Sequence, residues 1–188
     1  TNKTATLTIT AEPNTGAERT GKVVVWSGGS RDSISVVQSA GQQEDIKCPL
    51  SGYELVWNDE FSGSKVGSDW TWEVKPAGWV NNELQNYVQD DKVAQVSNGT
   101  LKINLINDEG TIKSARLYAR QTTGWQYGYI EASIKLPKGK GTWPAFWMMP
   151  VNFKTWPGDG EIDIMEEVGY DANVVVSTIH CNKYNNGG

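Results

Sequence analysis

Residues 160–167, Gly-Glu-Ile-Asp-Ile-Met-Glu-Glu, decide the fold, because acidic and apolar side chains alternate along them. Alternation with a period of two is typical of a β-strand that packs one face into a core and exposes the other. Glu161 and Asp163 then share one face, and Ile162 and Ile164 occupy the opposite face. The stretch predicts a β-strand that presents a row of carboxylates.

Neighbouring carboxylates raise one another's pKa, so such a row lowers the stability of the fold. A row of this kind therefore indicates a function. Glycoside hydrolysis uses the combination: an ionised carboxylate as nucleophile, a protonated one as acid, and a third group that supports the nucleophile. The alternatives are a solvated acidic face and a calcium site. A solvated face usually mixes charges, but no Lys or Arg lies between Lys154 and Lys183. Calcium loops have glycine-broken spacing that this strand lacks.

Met165 interrupts the acidic row. Strict alternation would place Met165 beside the acids and Glu166 on the opposite face. The Cα atoms of Glu161 and Glu166 would be about 16 Å apart on a straight strand, too far for a retaining carboxylate pair. A β-bulge at Met165 would return Glu166 to the acidic face and send Glu167 outward. The sequence therefore predicts a bulge.

The chain around this strand also has β periodicity. Alternating apolar residues predict strands at 101–105 and 130–136, and a further strand at 174–181 contains the only histidine, His180. Turns rich in Gly, Asn and Pro separate these segments, and no stretch of ten residues has an amphipathic helical pattern. The pattern predicts an all-β fold, an antiparallel β-sandwich or jelly roll.

The first forty residues form a separate pattern. Short strands are predicted at 6–10, 22–26 and 33–38, with turn residues between them, which indicates part of a small β-sandwich. A small, polar stretch without periodicity follows and is typical of a linker. The predicted divisions are an N-terminal module at 1–41, a linker at 42–47 and a larger domain at 48–188.

Composition narrows the function. The 188 residues contain 17 Lys and Arg against 22 Asp and Glu, a net charge of −5, and no basic stripe, which argues against nucleic acid as a partner. No apolar run approaches the length of a membrane span. The two cysteines are spaced for neither zinc nor redox chemistry and could form one bridge or stay free. Eight of the nine Trp lie after residue 50, which suits a sugar-binding cleft or a large β core.

Residues 160–169 resemble the active-site strand of glycoside hydrolase family 16, in the bulged form of its laminarinase-like members. Other segments resemble the family in the same order along the chain. They are 53–61 (YELVWNDEF), 79–87 (WVNNELQNY), 114–117 (SARL), 127–132 (YGYIEA), 136–141 (LPKGKG) and 143–147 (WPAFW). The resemblance runs from about Tyr53 to the last residue and implies a β jelly roll with a long open cleft.

The resemblance implies retaining endo-hydrolysis of β-1,3-glucan or mixed-linkage β-1,3-1,4-glucan by double displacement. By the motif, Glu161 would be the nucleophile, Asp163 the assisting acid and Glu166 the general acid/base. Five further residues would bind substrate, the two tryptophans by stacking on glucosyl rings. They are Trp143, Trp147, Asn82, Arg116 and His180.

Three of these residues have structural alternatives. Trp147 could pack in the core, Arg116 could form a structural ion pair, and a lone His such as His180 is commonly structural in a β-strand. No cofactor is expected to be required. A structural calcium ion is left open, without ligands that can be assigned.

The N-terminal segment resembles the last strands of a BACON module, through 19–25 (RTGKVVV) and 32–38 (DSISVVQ). This resemblance implies export, so we expect a secreted or cell-surface protein. We also expect the protein to be a monomer whose partner is its polysaccharide substrate. Family 16 catalytic domains are typically longer than the part that follows the linker. We therefore expect a jelly roll truncated on its C-terminal side.

Two other functions stay open. A non-catalytic glucan-binding lectin on the same fold would keep the Trp cleft without the chemistry, although it would gain nothing from three crowded acids. A family 16 enzyme could instead act on a galactan such as agarose. A sulfated galactan would call for a basic cleft, and the net charge of −5 argues against one.

Overall fold

The computed structural model describes residues 18–38, 50–119 and 124–185, together with Thr8, Ala11, Asn14 and Cys48. Over these residues the secondary structure consists of twelve strands, which confirms the predicted all-β class. The strands are β1 (Arg19–Ser27), β2 (Ser30–Gln38), β3 (Trp70–Trp72), β4 (Asn86–Tyr87), β5 (Ala94–Ser97), β6 (Thr100–Ile103), β7 (Ile106–Asp108), β8 (Thr111–Ser114), β9 (Leu117–Ala119), β10 (Ala145–Met148), β11 (Glu161–Glu166) and β12 (Val176–His180).

The chain divides into two compact units, Thr1–Tyr118 and Ala119–Gly188. The predicted strand at 6–10 and the predicted linker at 42–47 lie outside the described residues, and the predicted domain divisions stay predictions. In the described part of the chain, no helix is long and apolar enough to cross a membrane. Cys48 and Cys181 are both free.

Two-residue turns set the register of the hairpins in the first unit. β5 and β6 are joined by Asn98 and Gly99, with φ of 52° and 68°, and β1 and β2 by Gly28 and Gly29, with φ of 53° and 88°. Positive φ at both turn positions matches the twist of the flanking strands and explains the Asn and Gly there. The predicted strands at 22–26 and 33–38 are thereby confirmed within β1 and β2.

The core of the first unit is small. Val93, Ala94 and Ala115 are buried, and partly buried apolar side chains such as Trp72 and Leu101 pack against them. The predicted strand at 101–105 ends at Ile103 in the structure. One pairing departs from the antiparallel prediction: Asn86 and Tyr87, at the edge of their sheet, pair in parallel with β8.

The second unit contains a three-stranded antiparallel sheet in the order β10-β11-β12, with β11 in the centre. The predicted strand at 130–136 is wrong as a ladder strand: no strand is assigned there, because among the described residues the segment has no ladder partner. The apolar side chains of this largely exposed segment instead line one side of an open, mainly apolar cavity of about 360 Å³. The lining residues are Ile130, Glu131, Ala132, Ile134 and Leu136 from this segment and Phe146, Ile164 and Met165 from the sheet.

Candidate active site

The predicted β-bulge is present in β11. In the pairing with β10, Asp163 lies opposite Trp147 and Met165 lies opposite Phe146, so Ile164 is an extra residue on the β11 side. In the pairing with β12, the register shifts by the same single residue between Asp163 and Glu166. Ile164 and Met165 both line the apolar cavity. The bulge therefore puts Glu161, Asp163 and Glu166 on one face of the sheet.

An indole N–H binds each of the two glutamates of the row. Nε1 of Trp143 donates to Oε1 of Glu166 at 2.8 Å, and Nε1 of Trp156 donates to Oε2 of Glu161 at 2.6 Å. Hydrogen bonds to an ionised acceptor are short and stronger than neutral ones. Sequence reasoning missed Trp156, although its position five residues before Glu161, in the turn that leads into β11, was a usable signal.

Asp163 is the most buried carboxylate of the row, with 4% of its surface exposed. Burial, followed by the charges of Glu161 and Glu166, raises its pKa to about 6, and His180 opposes that rise. Nε2 of His180 lies 3.0 Å from Oδ2 of Asp163. The protonated Asp163 carboxyl can donate a hydrogen bond to Glu161. His180 thus contacts the carboxylate row from β12.

The raised pKa of Asp163 predicts a pH-dependent stability. The native state holds this proton more tightly than the unfolded chain, where the pKa is near 3.8, so the contribution of Asp163 to folding stability falls as the pH rises from about 4 through 6. Asp163→Asn removes the titration. We expect the variant to gain about 1 to 2 kcal/mol in free energy of unfolding over wild type between pH 4 and pH 7, measured by denaturant titration of the full-length protein. A difference that does not change with pH would contradict the assignment.

The sequence predicted that Glu167 points outward, and this prediction is wrong. Glu167 is buried, with 8% of its surface exposed, and its Oε1 accepts the backbone N–H of Asn173 at 3.2 Å. Its own N–H donates to the carbonyl of Pro144 at 3.2 Å. The bulge does separate Glu167 from the carboxylate face, but the opposite side there is covered by the turn that follows the strand. Glu167 is therefore a structural carboxylate.

The loop that carries Trp143 is held close to the turn after β11. The N–H of Gly169 donates to the carbonyl of Thr142 at 2.8 Å, and a Cβ at 169 would overlap the carbonyl oxygen of Gly139. Only glycine allows this approach. The contact fixes the position of Trp143 relative to Glu166.

The other predicted site residues divide between the two units. Trp147 lies beside Asp163 in the sheet register and so belongs to the carboxylate face. Asn82 and Arg116 lie in the first unit. Asn82 has a φ of 54° in an exposed turn. Nε of Arg116 forms an ion pair with Glu73 at 2.6 Å, which is the structural alternative considered for it. The substrate-binding roles stay predictions.

Within the described residues, no group of three or more His, Cys, Asp and Glu side chains is arranged to hold a metal ion. Calcium binding stays untested.

An all-β domain with three carboxylates in a row, flanked by partly exposed tryptophans, has the features of a polysaccharide-degrading glycoside hydrolase. Residues 73–186 match the family model described as "XgeA-like, catalytic GH16 domain". The chain belongs to glycoside hydrolase family 16. Residues 1–39 match the BACON model, described as a putative binding domain, which supports the N-terminal resemblance.

Curated relatives are similar over much of the chain. A β-glucanase of Rhodothermus marinus is 43% identical over 155 residues, which cover 77% of this chain and 54% of that protein. A β-1,3-glucan-binding protein of Penaeus monodon is 43% identical over 153 residues, covering 62% of this chain and 40% of that protein. The chain thus spans about half the length, or less, of these relatives.

A solved structure confirms the β-sandwich, jelly-roll class. The laminarinase from Rhodothermus marinus superposes with a TM-score of 0.62 at 39% identity, over 70% of this chain and 57% of that one.

Proposed function

We propose that the protein is a retaining endo-glycosidase that hydrolyses β-1,3-glucan or mixed-linkage β-1,3-1,4-glucan. The observation that carries the proposal is the bulged strand, which brings Glu161, Asp163 and Glu166 to one face and gives each glutamate its own indole donor. The names of the relatives support the substrate class, since they include a β-glucanase and a laminarinase.

Each carboxylate has a distinct role in this mechanism. Glu161 attacks the anomeric carbon while Glu166 donates a proton to the leaving glycosidic oxygen. In the second step Glu166 removes a proton from water, which attacks the same carbon and releases Glu161. Asp163, whose pKa is raised to about 6, holds Glu161 by a hydrogen bond and limits the accumulation of charge in the row.

The experiment that tests the proposal is the release of reducing sugar by the full-length protein. Laminarin, curdlan, barley β-glucan and agarose are offered separately. Activity on laminarin, curdlan or barley β-glucan supports the proposal. Activity on agarose alone would contradict the substrate class, and binding without any hydrolysis would contradict the enzyme.

The names of two relatives correspond to the two alternatives, a glucan-binding protein and an enzyme that acts on a galactan. The Penaeus monodon relative carries the name of a β-1,3-glucan-binding protein, and a relative from Sphingobacterium multivorum, 32% identical over 139 residues, is a keratan-sulfate endo-1,4-β-galactosidase. The three carboxylates favour hydrolysis over binding alone. The net charge of −5 gives no support to a sulfated substrate.

Trp143 has 52% of its surface exposed, so a ring face is available to a sugar. We expect Trp143→Ala to weaken binding of a laminari-oligosaccharide by about 1 to 3 kcal/mol, because the stacking surface is lost. Calorimetry in a Glu161→Gln background measures binding without hydrolysis. Trp143→Phe keeps a ring but loses the hydrogen bond to Glu166, so its affinity should stay near the parent value. An affinity of the Ala variant equal to that of the parent would show that Trp143 is not part of the binding surface.

We also propose that the protein is secreted or displayed on the cell surface and acts as a monomer. The BACON match and the polymeric substrate support this localisation, because a polysaccharide is degraded outside the cell. Fractionation of the source cells with an antibody to the protein, and light scattering of the purified protein, test the two statements.

A further inference from the structure

Trp156 contacts Glu161 and also the pair formed by His180 and Asp163. Its N–H donates to Oε2 of Glu161 at 2.6 Å, and its ring centroid lies 5.5 Å from that of His180. His180 lies 3.0 Å from Asp163, and Asp163 shares a hydrogen bond with Glu161. These four side chains form a closed ring of contacts around the nucleophile position.

The loop that carries Trp156 is closed on itself just before β11. Oδ2 of Asp159 accepts the N–H groups of Lys154 at 2.7 Å and of Thr155 at 2.8 Å. These two bonds lower the pKa of the Asp159 carboxyl and favour its ionised form. The braced loop leads directly into Glu161, the first residue of the strand, so the indole is held in place relative to the carboxylate.

We propose that Trp156 is a positioning residue for Glu161 whose N–H stabilises the carboxylate charge that returns to Oε2 when the glycosyl-enzyme ester is opened. This inference rests on the proposed function, and it assigns to Trp156 a role in one of the two chemical steps. Oε2 is held by the indole, which leaves Oε1 to attack the sugar.

The two steps place opposite demands on this hydrogen bond. In the first step a bond forms between Oε1 of Glu161 and the anomeric carbon, the glycosidic bond breaks, and charge leaves the carboxylate. In the second step water adds to the anomeric carbon and gives a proton to Glu166, and the electron pair of the ester bond returns to Glu161. A donor on Oε2 is therefore strengthened in the second step and weakened in the first.

The experiment separates the steps with a dinitrophenyl glycoside of laminaribiose that carries fluorine in place of the hydroxyl next to the anomeric carbon. The inactivation rate of the full-length protein reports the first step, since dinitrophenolate leaves without a proton. After excess probe is removed, the reactivation rate reports the second step. Only folded, labelled enzyme contributes to reactivation, so partial misfolding of a variant does not affect this rate.

Trp156→Phe keeps an aromatic ring beside His180 and removes the N–H. We expect reactivation to slow by about 10-fold or more and inactivation to change by about 3-fold or less, as the loss of one charge-assisted hydrogen bond predicts. Trp26→Phe, the same replacement on the N-terminal hairpin, should keep both wild-type rates. A Trp156→Phe variant with unchanged reactivation, or with inactivation slowed as much as reactivation, would overturn the inference. Wild-type protein that is not labelled at Glu161 would overturn the proposed function itself.

Discussion

Replacement of Glu161 by Gln should lower kcat on laminarin by about 10³-fold or more, with little change in affinity for glucan. The amide has nearly the shape of the carboxylate but cannot form the covalent intermediate, and the stacking surfaces remain. Initial-rate measurements, together with calorimetric binding of a laminari-oligosaccharide, check both parts. A Glu161→Gln variant with near wild-type turnover would contradict the assignment of the nucleophile.

Stereochemistry supplies the control for this prediction. Wild-type protein should release the β-anomer first, which NMR detects before mutarotation, because two displacements restore the configuration. A Glu161→Ala variant supplied with azide and an activated β-glycoside should form the α-glycosyl azide, since a single displacement inverts it. Initial release of the α-anomer by wild-type protein would indicate an inverting mechanism.

Replacement of Glu166 by Gln should abolish hydrolysis of unactivated glucan, because the leaving oxygen loses its proton donor. The first step on a dinitrophenyl glycoside should be spared, since that leaving group needs no proton. Glu167→Gln is the matched control, one residue along the chain. Its side-chain carbonyl can still accept the N–H of Asn173, so both folding and activity should be retained. Loss of activity in the Glu167 variant, with Glu166→Gln still active, would assign the general acid/base role to Glu167 and the structural role to Glu166.

Deletion of Met165 probes the bulge itself. With one residue fewer, Glu166 follows Asp163 at an interval of two, so plain alternation leaves it on the carboxylate side. We expect reduced but measurable activity on laminarin, because the acid is retained while the cavity that Ile164 and Met165 line must repack. Complete loss of activity in a folded deletion variant would show that an unbulged strand cannot present the acid.

Local periodicity made most of the site predictable. The alternation of 160–167 predicts the strand and its acidic face, and Met165, where the alternation breaks, indicates the bulge that the structure contains. The predicted turns rich in Gly and Asn include Asn98-Gly99, whose positive φ values are those that a two-residue hairpin turn requires. These features depend on neighbours in the chain, so the sequence by itself determined them.

Contacts between distant segments were decided only by the tertiary structure. The alternation of 130–136 is clear, but a ladder needs a partner strand, and the pattern of one strand does not contain it. Glu167 was expected to face water, but a turn several residues away donates to it and buries it. Trp156 is one of nine tryptophans, and its choice of Glu161 as acceptor depends on how the preceding loop closes. Hydrogen-bond direction and burial are properties of the packed chain, and a period of two carries no information about them.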